Sequence, residues 1–418
     1  MINFEGQYNK YIVNNNKKIH FTEFLLDIFY RFTLRYYKRK KMIGFWTVYT
    51  LIALPCIFYT GYTLTAHTGS PLWLTAGVYT FLIAAWFAMA LIWNLRRNSD
   101  ISARTYTLIA HVGYFMLGFA FLLLSALALR DAVWFGLYLM TPFKVASPFE
   151  ASVLVPANLW TVAVVAGISI CSVLAAAKMP RVMRYRFSDS RIRQPLKMLA
   201  LSDLHINKTV SPAKVRKFVQ YFNKMQADVI VLSGDIADDF VQDIGAQLRE
   251  LKKLHAPQGI YVVLGNHEVY YNAIQWEATF ASLGWQVLHN SGVAVENSGI
   301  YIGGVPSHAG FAQNPAQALR QATDDEFRIL LAHEPAVARF SDVSAADLQI
   351  SGHTHGGQIF PFHLPVKWGN AGFVSGAYQL EQTLILVSNG ASYWGPPMRL
   401  FAPSDVLLLE LEPQVNNF

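Results

Sequence analysis

The stretch Leu348-Gln-Ile-Ser-Gly-His-Thr-His-Gly-Gly357 places two histidines directly after a short apolar run. An apolar run of this length that ends at a glycine is typical of a buried β-strand followed by a tight turn. Imidazole nitrogens are among the commonest metal ligands in proteins. The stretch therefore predicts a strand whose carboxyl end carries metal-binding side chains.

Four other stretches repeat the arrangement of an apolar run followed by polar residues. The apolar runs at residues 197–202, 228–233, 260–264 and 327–332 precede Asp203-Leu204-His205, Gly234-Asp235, Gly265-Asn266-His267-Glu268 and His333-Glu334-Pro335. Helix-length segments separate the first three runs, which is the pattern of βαβ units and a largely parallel sheet. Ligands of such sheets bind beyond the carboxyl ends of the strands. We therefore expect polar residues from distant parts of the chain to meet at one edge.

These polar residues are oxygen and imidazole ligands without a thiolate, because Cys56 and Cys171 both lie in apolar runs elsewhere. The candidate ligands are Asp203, His205, Asp235, Asn266, His333, His353 and His355, with His267 beside them. Such a set suits Mn²⁺, Fe²⁺, Zn²⁺ or a similar ion. It is too large for one ion and suits two divalent ions bridged by a carboxylate, a centre that activates water for attack on a phosphoryl group.

The five polar blocks, in this order, resemble those of the calcineurin-like metallophosphoesterases, and the resemblance covers about residues 197–412. Within the superfamily the chain is most similar to membrane-anchored bacterial phosphohydrolases of the YkuE and YaeI type. The resemblance implies a C-terminal four-layer α/β/β/α sandwich. It implies one metal held by Asp203, His205 and His355, a second held by Asn266, His333 and His353, and Asp235 bridging both.

The resemblance also implies a role for His267, which would not be a ligand but would act as a general acid or stabilise the developing charge. Asp238 and Glu268 are candidate hydrogen-bond partners of the ligating imidazoles, although ordinary turn or capping roles suit them equally well. Lys367 and Arg399 are candidates for binding a substrate phosphate, against the alternative of a solvated charge or an ion pair.

The N-terminal half is apolar in four segments that contain no Asp, Glu, Lys or Arg, and each is long enough to span a bilayer. These segments are Ile43–Leu64, Leu72–Leu95, Tyr106–Leu129 and Asn158–Ala177. They predict an α-helical membrane domain of four transmembrane helices at residues 43–178. The remaining predicted parts are an amphipathic and basic segment at residues 1–42, a basic linker at 179–196 and a tail at 413–418.

Charge is distributed unevenly, since residues 1–197 carry a net charge of +14 and residues 198–418 a net charge of −7. Lys and Arg are frequent before the first apolar segment, between the second and third, and after the fourth. Because positive residues concentrate on the inner side of membranes, the N-terminus and the catalytic domain are predicted to be cytoplasmic, in a multi-pass inner-membrane protein. The acidic C-terminal half argues against a nucleic-acid partner.

Together these features predict a membrane-anchored enzyme that hydrolyses a phosphodiester, pyrophosphate or monoester bond with metal-activated water. The membrane segments and the apolar stretch at residues 360–378 favour a lipid or lipid-linked substrate, with membrane lipids as partners. Two alternatives stay open. One is a tethered phosphodiesterase or phosphatase for soluble nucleotides or phosphoproteins, and the other is a non-catalytic membrane sensor or scaffold.

Overall fold

The computed structural model describes residues 44–96, 101–140 and 150–414. The predicted amphipathic and basic segment at residues 1–42 lies outside the described residues, as do Arg97, Lys144 and most of the tail. The chain divides into two compact units between Tyr59 and Thr60, and each is described by itself. The first unit contributes the start of one helix, and the second contributes all other elements.

In the part of the chain that the structure describes, four long apolar helices precede the β-sheets, as predicted, and by length and composition each can cross a membrane. They are α1 (Gly44–Thr65), α2 (Leu72–Leu95), α3 (Ala103–Met140) and α4 (Ala151–Ala176). Helix α3 extends well past the predicted end at Leu129. It continues because Arg130 is paired with Asp131 at 2.8 Å and donates a hydrogen bond to Oδ1 of Asn158 at 2.6 Å, which neutralises and satisfies the charge.

Two six-stranded sheets follow the apolar helices. The first has the order β1-β12-β2-β3-β4-β5, with strands β1 (Arg181–Asp189), β2 (Leu196–Leu201), β3 (Val229–Ser233), β4 (Ile260–Val263), β5 (Gln286–Val287) and β12 (Asp405–Pro413). The second has the order β10-β11-β9-β8-β7-β6, with strands β6 (Ser291–Val295), β7 (Ile300–Val305), β8 (Phe327–Ala332), β9 (Leu348–Ser351), β10 (Gly376–Leu380) and β11 (Thr383–Val387). Strands β2 to β5 run parallel, and so do β7, β8, β9 and β11.

The two sheets face each other across a shared apolar core, and helices cover their outer faces. Met198 and Val231 of the first sheet meet Ile302 and Ile329 of the second in this core. Outside the first sheet lie α5 (Pro212–Asn223), α6 (Gly245–Leu251), α7 (Asn266–Tyr270) and α8 (Ala273–Ser282); α9 (Pro315–Ala318) and α10 (Val337–Phe340) cover the second. The predicted α/β/β/α sandwich is thereby confirmed. Strands buried on both faces explain why β2, β3 and β8 read as continuous apolar runs.

The predicted linker at residues 179–196 is wrong over Arg181–Asp189, which form strand β1 at the edge of the first sheet. Only residues 177–180 separate α4 from this strand. Arg184 and Arg186 lie exposed and contact Glu410 of the neighbouring β12 at 3.3 and 3.1 Å. Charged side chains are typical of edge strands, but these arginines were interpreted from the sequence only as markers of membrane orientation.

Candidate metal centre

The predicted ligands lie where strands of the two sheets end. Asp203 and Asp235 follow β2 and β3 after one intervening residue, and Asn266 begins α7 just beyond β4. His333 comes directly after β8, and His353 follows β9. Because these strands run parallel within each sheet and the sheets are stacked, their carboxyl ends meet. The structure brings all seven predicted ligands together, and all of them are buried except His353, which is partly buried.

A first group of donor atoms comes from Asp203, His205 and His355. The Nε2 atoms of His205 and His355 are 2.9 Å apart. Oδ1 of Asp203 lies 3.4 Å from Nε2 of His355 and 3.8 Å from Nε2 of His205. These three side chains therefore direct their donors at a common point.

A second group forms around Nε2 of His333. This atom is 3.1 Å from Oδ1 of Asn266, 3.2 Å from Nδ1 of His353 and 3.2 Å from Oδ2 of Asp235. The same Oδ2 atom of Asp235 lies 3.8 Å from Nε2 of His205 in the first group. Asp235 thus stands between the two groups, where a bridging carboxylate is required.

The chemistry of this donor set fits two divalent cations. Donors about 2.0–2.2 Å from a common ion lie roughly 3 Å from one another, which is the spacing within each group. Burial lowers the pKa of His353 and of His355, and the neutral imidazole is the form that ligates a metal. The Nε2 atoms of His205 and His355, 2.9 Å apart, are close enough to bind one cation together. The nitrogen and oxygen donors suit Mn²⁺, Fe²⁺, Zn²⁺ or a similar ion.

The backbone at the centre is held in an uncommon conformation. The φ angles of Asp203, His205, Asp235, His353 and His355 are +54°, +45°, +54°, +69° and +51°. Non-glycine residues rarely adopt this left-handed region, and such strain clusters at functional sites. The surrounding turns allow no extra bulk: a Cβ at Gly234 (φ +88°) would come within 2.6 Å of Nδ1 of His333.

His267 lies beside the ligands and is bonded to Asp238. Its Nδ1 is 2.7 Å from Oδ1 of Asp238, and its Nε2 is 3.8 Å from Oδ2 of Asp235. Burial lowers the pKa of His267, but Asp235 and Asp238 outweigh burial and raise it to about 9. The ring therefore carries a proton at neutral pH, which a general acid requires. Asp238 also belongs to a His205–Asp238–His267 cluster with metal-ligand spacing.

Glu268 holds backbone amides and contacts no imidazole among its described hydrogen bonds. Its carboxylate accepts hydrogen bonds from the backbone N–H groups of Asp235 at 3.0 Å, Ala237 at 2.8 Å and Gly265 at 2.8 Å. Burial first, and the charge of Asp235 second, raise the pKa of Glu268 to about 7. Through these hydrogen bonds Glu268 links the turn after β3 to the turn after β4.

Arg399 is buried and cannot face a substrate, which corrects the expectation that it binds a phosphate. Its guanidinium donates to the carbonyl oxygens of His355 at 3.0 Å, Ala402 at 2.8 Å and Asn389 at 2.7 Å. Nη2 also lies 3.2 Å from Nδ1 of His355, so Arg399 orients that ligand. Lys367 is exposed on the short helix α11 (His363–Gly369).

Sequence reasoning missed three residues near His267. Arg96, at the end of α2, was counted only as a marker of topology, yet it donates a hydrogen bond to Oδ1 of Asp239 at 3.1 Å and another to the backbone oxygen of Asp238. The rings of Tyr270 and Trp394 lie 5.5 and 5.9 Å from the His267 ring and are about half exposed. No sequence motif predicts these contacts, because each joins segments that are distant in the chain and meet only after folding.

An exposed apolar surface, here called the aromatic rim, follows the last ligands. It comprises Phe360, Phe362, Leu364, Trp368 and Phe401. Trp368 is 90% exposed and Phe401 83% exposed, although both side chains are apolar. Phe362 contacts Phe121 of helix α3, with ring centroids 5.9 Å apart. The rim is therefore continuous with a helix that can cross a membrane.

Comparison with known proteins agrees with this geometry. The family model for calcineurin-like phosphoesterases matches residues 196–357. A metallophosphoesterase of Campylobacter jejuni is 33% identical over 58% of this chain and 66% of its own length. A bovine transmembrane protein with a metallophosphoesterase domain is 33% identical over 59% of this chain and 60% of its own length. The metallophosphoesterase YkuE of Bacillus subtilis is 29% identical over 52% of this chain and 79% of its own length.

The chain spans just under two thirds of the length of the first of these relatives. Among solved structures, a dimetal phosphatase from Danio rerio aligns with 48% of this chain at 12% identity and a TM-score of 0.30, which is too distant to bear on the site. The family match includes Asp203, Asp235, Asn266, His333, His353 and His355. Residues 196–357, with the donor atoms they gather, match the family model for calcineurin-like phosphoesterases.

Proposed function

We propose that the protein is a membrane-anchored, two-metal phosphoesterase acting on a lipid or lipid-linked phosphoester. The observation that carries the proposal is the position of Asp235, whose Oδ2 is 3.2 Å from His333 and 3.8 Å from His205. A carboxylate shared in this way by two groups of buried donors is the arrangement that a two-metal hydrolytic centre requires.

Different residues of the chain would bind the metals and donate the proton during hydrolysis. Divalent cations held by the two donor groups would supply Lewis-acid chemistry, neutralising charge on the phosphoryl oxygens and making water a better nucleophile. Asp238 fixes the orientation of His267 through Nδ1, which leaves the Nε2–H directed into the pocket. His267 can therefore donate its proton to the departing oxygen of the ester.

The aromatic rim supports a lipid or lipid-linked substrate. Soluble proteins rarely leave large apolar side chains clustered in water, and such clusters mark membrane or protein contacts. Here Phe362 of the rim lies against Phe121 of α3, so both surfaces meet the same apolar phase. Lys367, exposed beside Trp368, suits the headgroup region at the boundary of that phase.

The proposal places the catalytic domain on the cytoplasmic side. Arg96, at the end of α2, contacts the catalytic domain directly, and α4 leads into β1 within residues 177–180. Both of these helix ends carry the basic residues that the inner side of a membrane retains. A tag at the C-terminus that reagents reach only after the cells are permeabilised supports this orientation, whereas labelling in sealed cells would contradict it.

The two-metal proposal is tested with full-length protein purified in detergent with Mn²⁺. We expect hydrolysis of bis(4-nitrophenyl) phosphate, and we expect Asp235→Asn to lower it about a thousandfold, because several kcal/mol of charge stabilisation are lost. The metal content per chain should fall in the same variant. Asp324→Asn, at a fully exposed carboxylate, is the matched control. Wild-type turnover by Asp235→Asn would refute the assignment.

The substrate class is tested by comparing phosphoesters carried in bilayers with soluble ones. Extracted membrane lipids, nucleotides and a phosphoprotein are presented to the protein reconstituted in vesicles. Higher turnover of a lipid phosphoester supports the proposal. Higher turnover of a nucleotide or phosphoprotein favours a soluble substrate, and no hydrolysis of any member, with metals bound, favours a sensor or scaffold.

A further inference from the structure

We infer that Arg96, at the end of the second apolar helix, is a positioning residue that holds the general-acid pair Asp238 and His267 in place. The inference rests on the proposed function of the metal centre. It assigns the membrane half a part in catalysis beyond attachment, because the residue that supplies the contact ends a membrane helix. Among the described contacts, Arg96 bonds Asp238, Asp239 and Tyr271 and none of the seven candidate ligands, so it acts through Asp238.

The guanidinium of Arg96 is buried against the segment that carries Asp238. Nε donates to Oδ1 of Asp239 at 3.1 Å, Nη2 donates to the backbone oxygen of Asp238, and Nη1 bonds the hydroxyl of Tyr271. Nη1 also lies 4.0 Å from Oδ1 of Asp238, the atom that contacts His267. The Arg96 side chain is 10% exposed and that of Asp239 is fully buried, so water screens these charges little.

Asp239 is the fixed point of this segment. Besides Arg96, its carboxylate accepts a hydrogen bond from the backbone N–H of Lys208 at 3.1 Å, and its carbonyl oxygen accepts one from Nε1 of Trp276 at 3.1 Å. The path from the membrane helix to the acid is therefore short. It runs from Arg96 to Asp238 and Asp239, and from Asp238 to Nδ1 of His267 at 2.7 Å.

A second contact ties the end of α2 to the catalytic domain. Nζ of Lys208 donates to the backbone oxygen of Arg96 and lies 4.3 Å from the centre of the Tyr106 ring in α3. The Arg96 guanidinium itself stacks over Tyr271 at 4.4 Å. Two cations and two aromatic rings thus enclose the contact, and the arginine has little freedom to leave it.

The replacement of this arginine should lower turnover without changing substrate affinity. A group held through a neighbour loses activity when its orientation relaxes, even though it still binds the same partners. We expect Arg96→Gln to reduce kcat about tenfold or more, with KM and metal content unchanged. Arg96→Lys retains the charge opposite Asp239 but cannot bond Asp239, Asp238 and Tyr271 at the same time. Its kcat should therefore lie between those of the wild type and Arg96→Gln.

The test measures kcat, KM and hydrogen–deuterium exchange on the full-length, Mn²⁺-loaded protein in detergent. Exchange at the amides of residues 236–240 reports the local contact whether or not the enzyme turns over. We expect faster exchange there in Arg96→Gln and partial protection in Arg96→Lys. Arg104→Gln is the matched control, since it removes one exposed positive charge at the start of α3 and leaves the contact intact.

The outcomes separate this inference from the proposed function. Wild-type kcat and exchange in Arg96→Gln would overturn it, and so would an equal loss of kcat in Arg104→Gln. A raised KM with unchanged kcat would show that Arg96 binds substrate, which also overturns it. If Arg96→Gln does not fold, the inference is tested with Arg96→Lys by the same measurements of kcat, KM and exchange. A wild-type protein that hydrolyses no phosphoester refutes the proposed function, while the exchange data still decide the contact.

Discussion

The last ligands of the metal centre and most of the aromatic rim follow β9, yet the two regions depart in opposite ways from the usual burial of apolar and exposure of charged side chains. At the centre, Asp203, Asp235 and His333 are buried although they are ionisable. At the rim, Trp368 and Phe401 are exposed although they are apolar. Buried charge and exposed apolar surface each cost free energy unless a partner compensates.

The comparison shows that each region implies a different missing partner. The buried donors lie at about hydrogen-bond distances from one another, a spacing that suits cations bound among them. Of the exposed rings, Phe362 contacts Phe121 of α3, and the proposed function supplies an apolar phase for the others. A candidate metal centre and an exposed apolar surface therefore adjoin, and each can be tested without the other.

The largest loss of activity that distinguishes the metal centre from the aromatic rim should come from the substitution of His267. We expect His267→Asn to lower hydrolysis of both soluble and lipid phosphoesters by a factor of about 10²–10⁴, because asparagine cannot donate the proton. Metal analysis of the same variant should find the wild-type content.

This variant can also contradict the assignment of His267. Loss of metal together with activity would make His267 a ligand, which its 3.8 Å approach to Asp235 makes a definite alternative. Unchanged hydrolysis would remove it from the mechanism. His289→Asn, which removes an imidazole that contacts Glu277 away from the donor groups, is the matched control.

A smaller effect is expected at the rim, and only for substrate in a bilayer. Trp368→Ala should raise KM for a vesicle-borne phosphoester about tenfold, since the burial of one large apolar side chain contributes roughly 1.5 kcal/mol or more. Kinetics on bis(4-nitrophenyl) phosphate should not change.

Phe340→Ala provides the control for the rim, because Phe340 is 80% exposed but lies on α10, outside the rim. Equal losses in the two variants would show that the rim is ordinary surface. A loss on the soluble substrate in Trp368→Ala would place the tryptophan in the pocket, which would also contradict the comparison.

The smallest effect should come from the charged edge of the first sheet. Arg186 pairs with Glu410 at 3.1 Å but is 71% exposed, so water and salt screen the contact. Arg186→Ala should lower the free energy of unfolding by about 0–1 kcal/mol, measured by denaturant titration in detergent. A much larger loss would mean that β1 is anchored by this pair and not by its backbone pairing with β12.

The sequence was sufficient for the features that depend on period and order. Continuous apolar runs identify β2, β3 and β8, and the polar blocks after them identify the edge where Asp203, Asp235 and His333 meet. Four uncharged apolar segments likewise predict four long helices, which the structure contains. These features are local, or they follow from the general topology of parallel sheets.

The sequence was not sufficient for contacts that depend on how separate segments pack. Arg399 was predicted as a candidate for binding a substrate phosphate, but folding encloses it among the carbonyl oxygens of Asn389 and Ala402. Arg96 marked a membrane boundary, and only the structure shows it bonded to Asp239. The sequence does not distinguish an arginine in solvent from one at a lipid headgroup or one buried inside a fold. The role of an arginine therefore depends on packing that only the structure shows.

The short connection between α4 and β1 has a consequence for how the proposed enzyme meets its substrate. Residues 177–180 are too short a connection for the proposed catalytic domain to move far from the bilayer. Encounters would then occur by lateral diffusion within one leaflet, and the rate would follow the mole fraction of substrate among the lipids, not its concentration in bulk. Addition of inert phospholipid would slow turnover by surface dilution, and substrate in an opposing vesicle would stay intact.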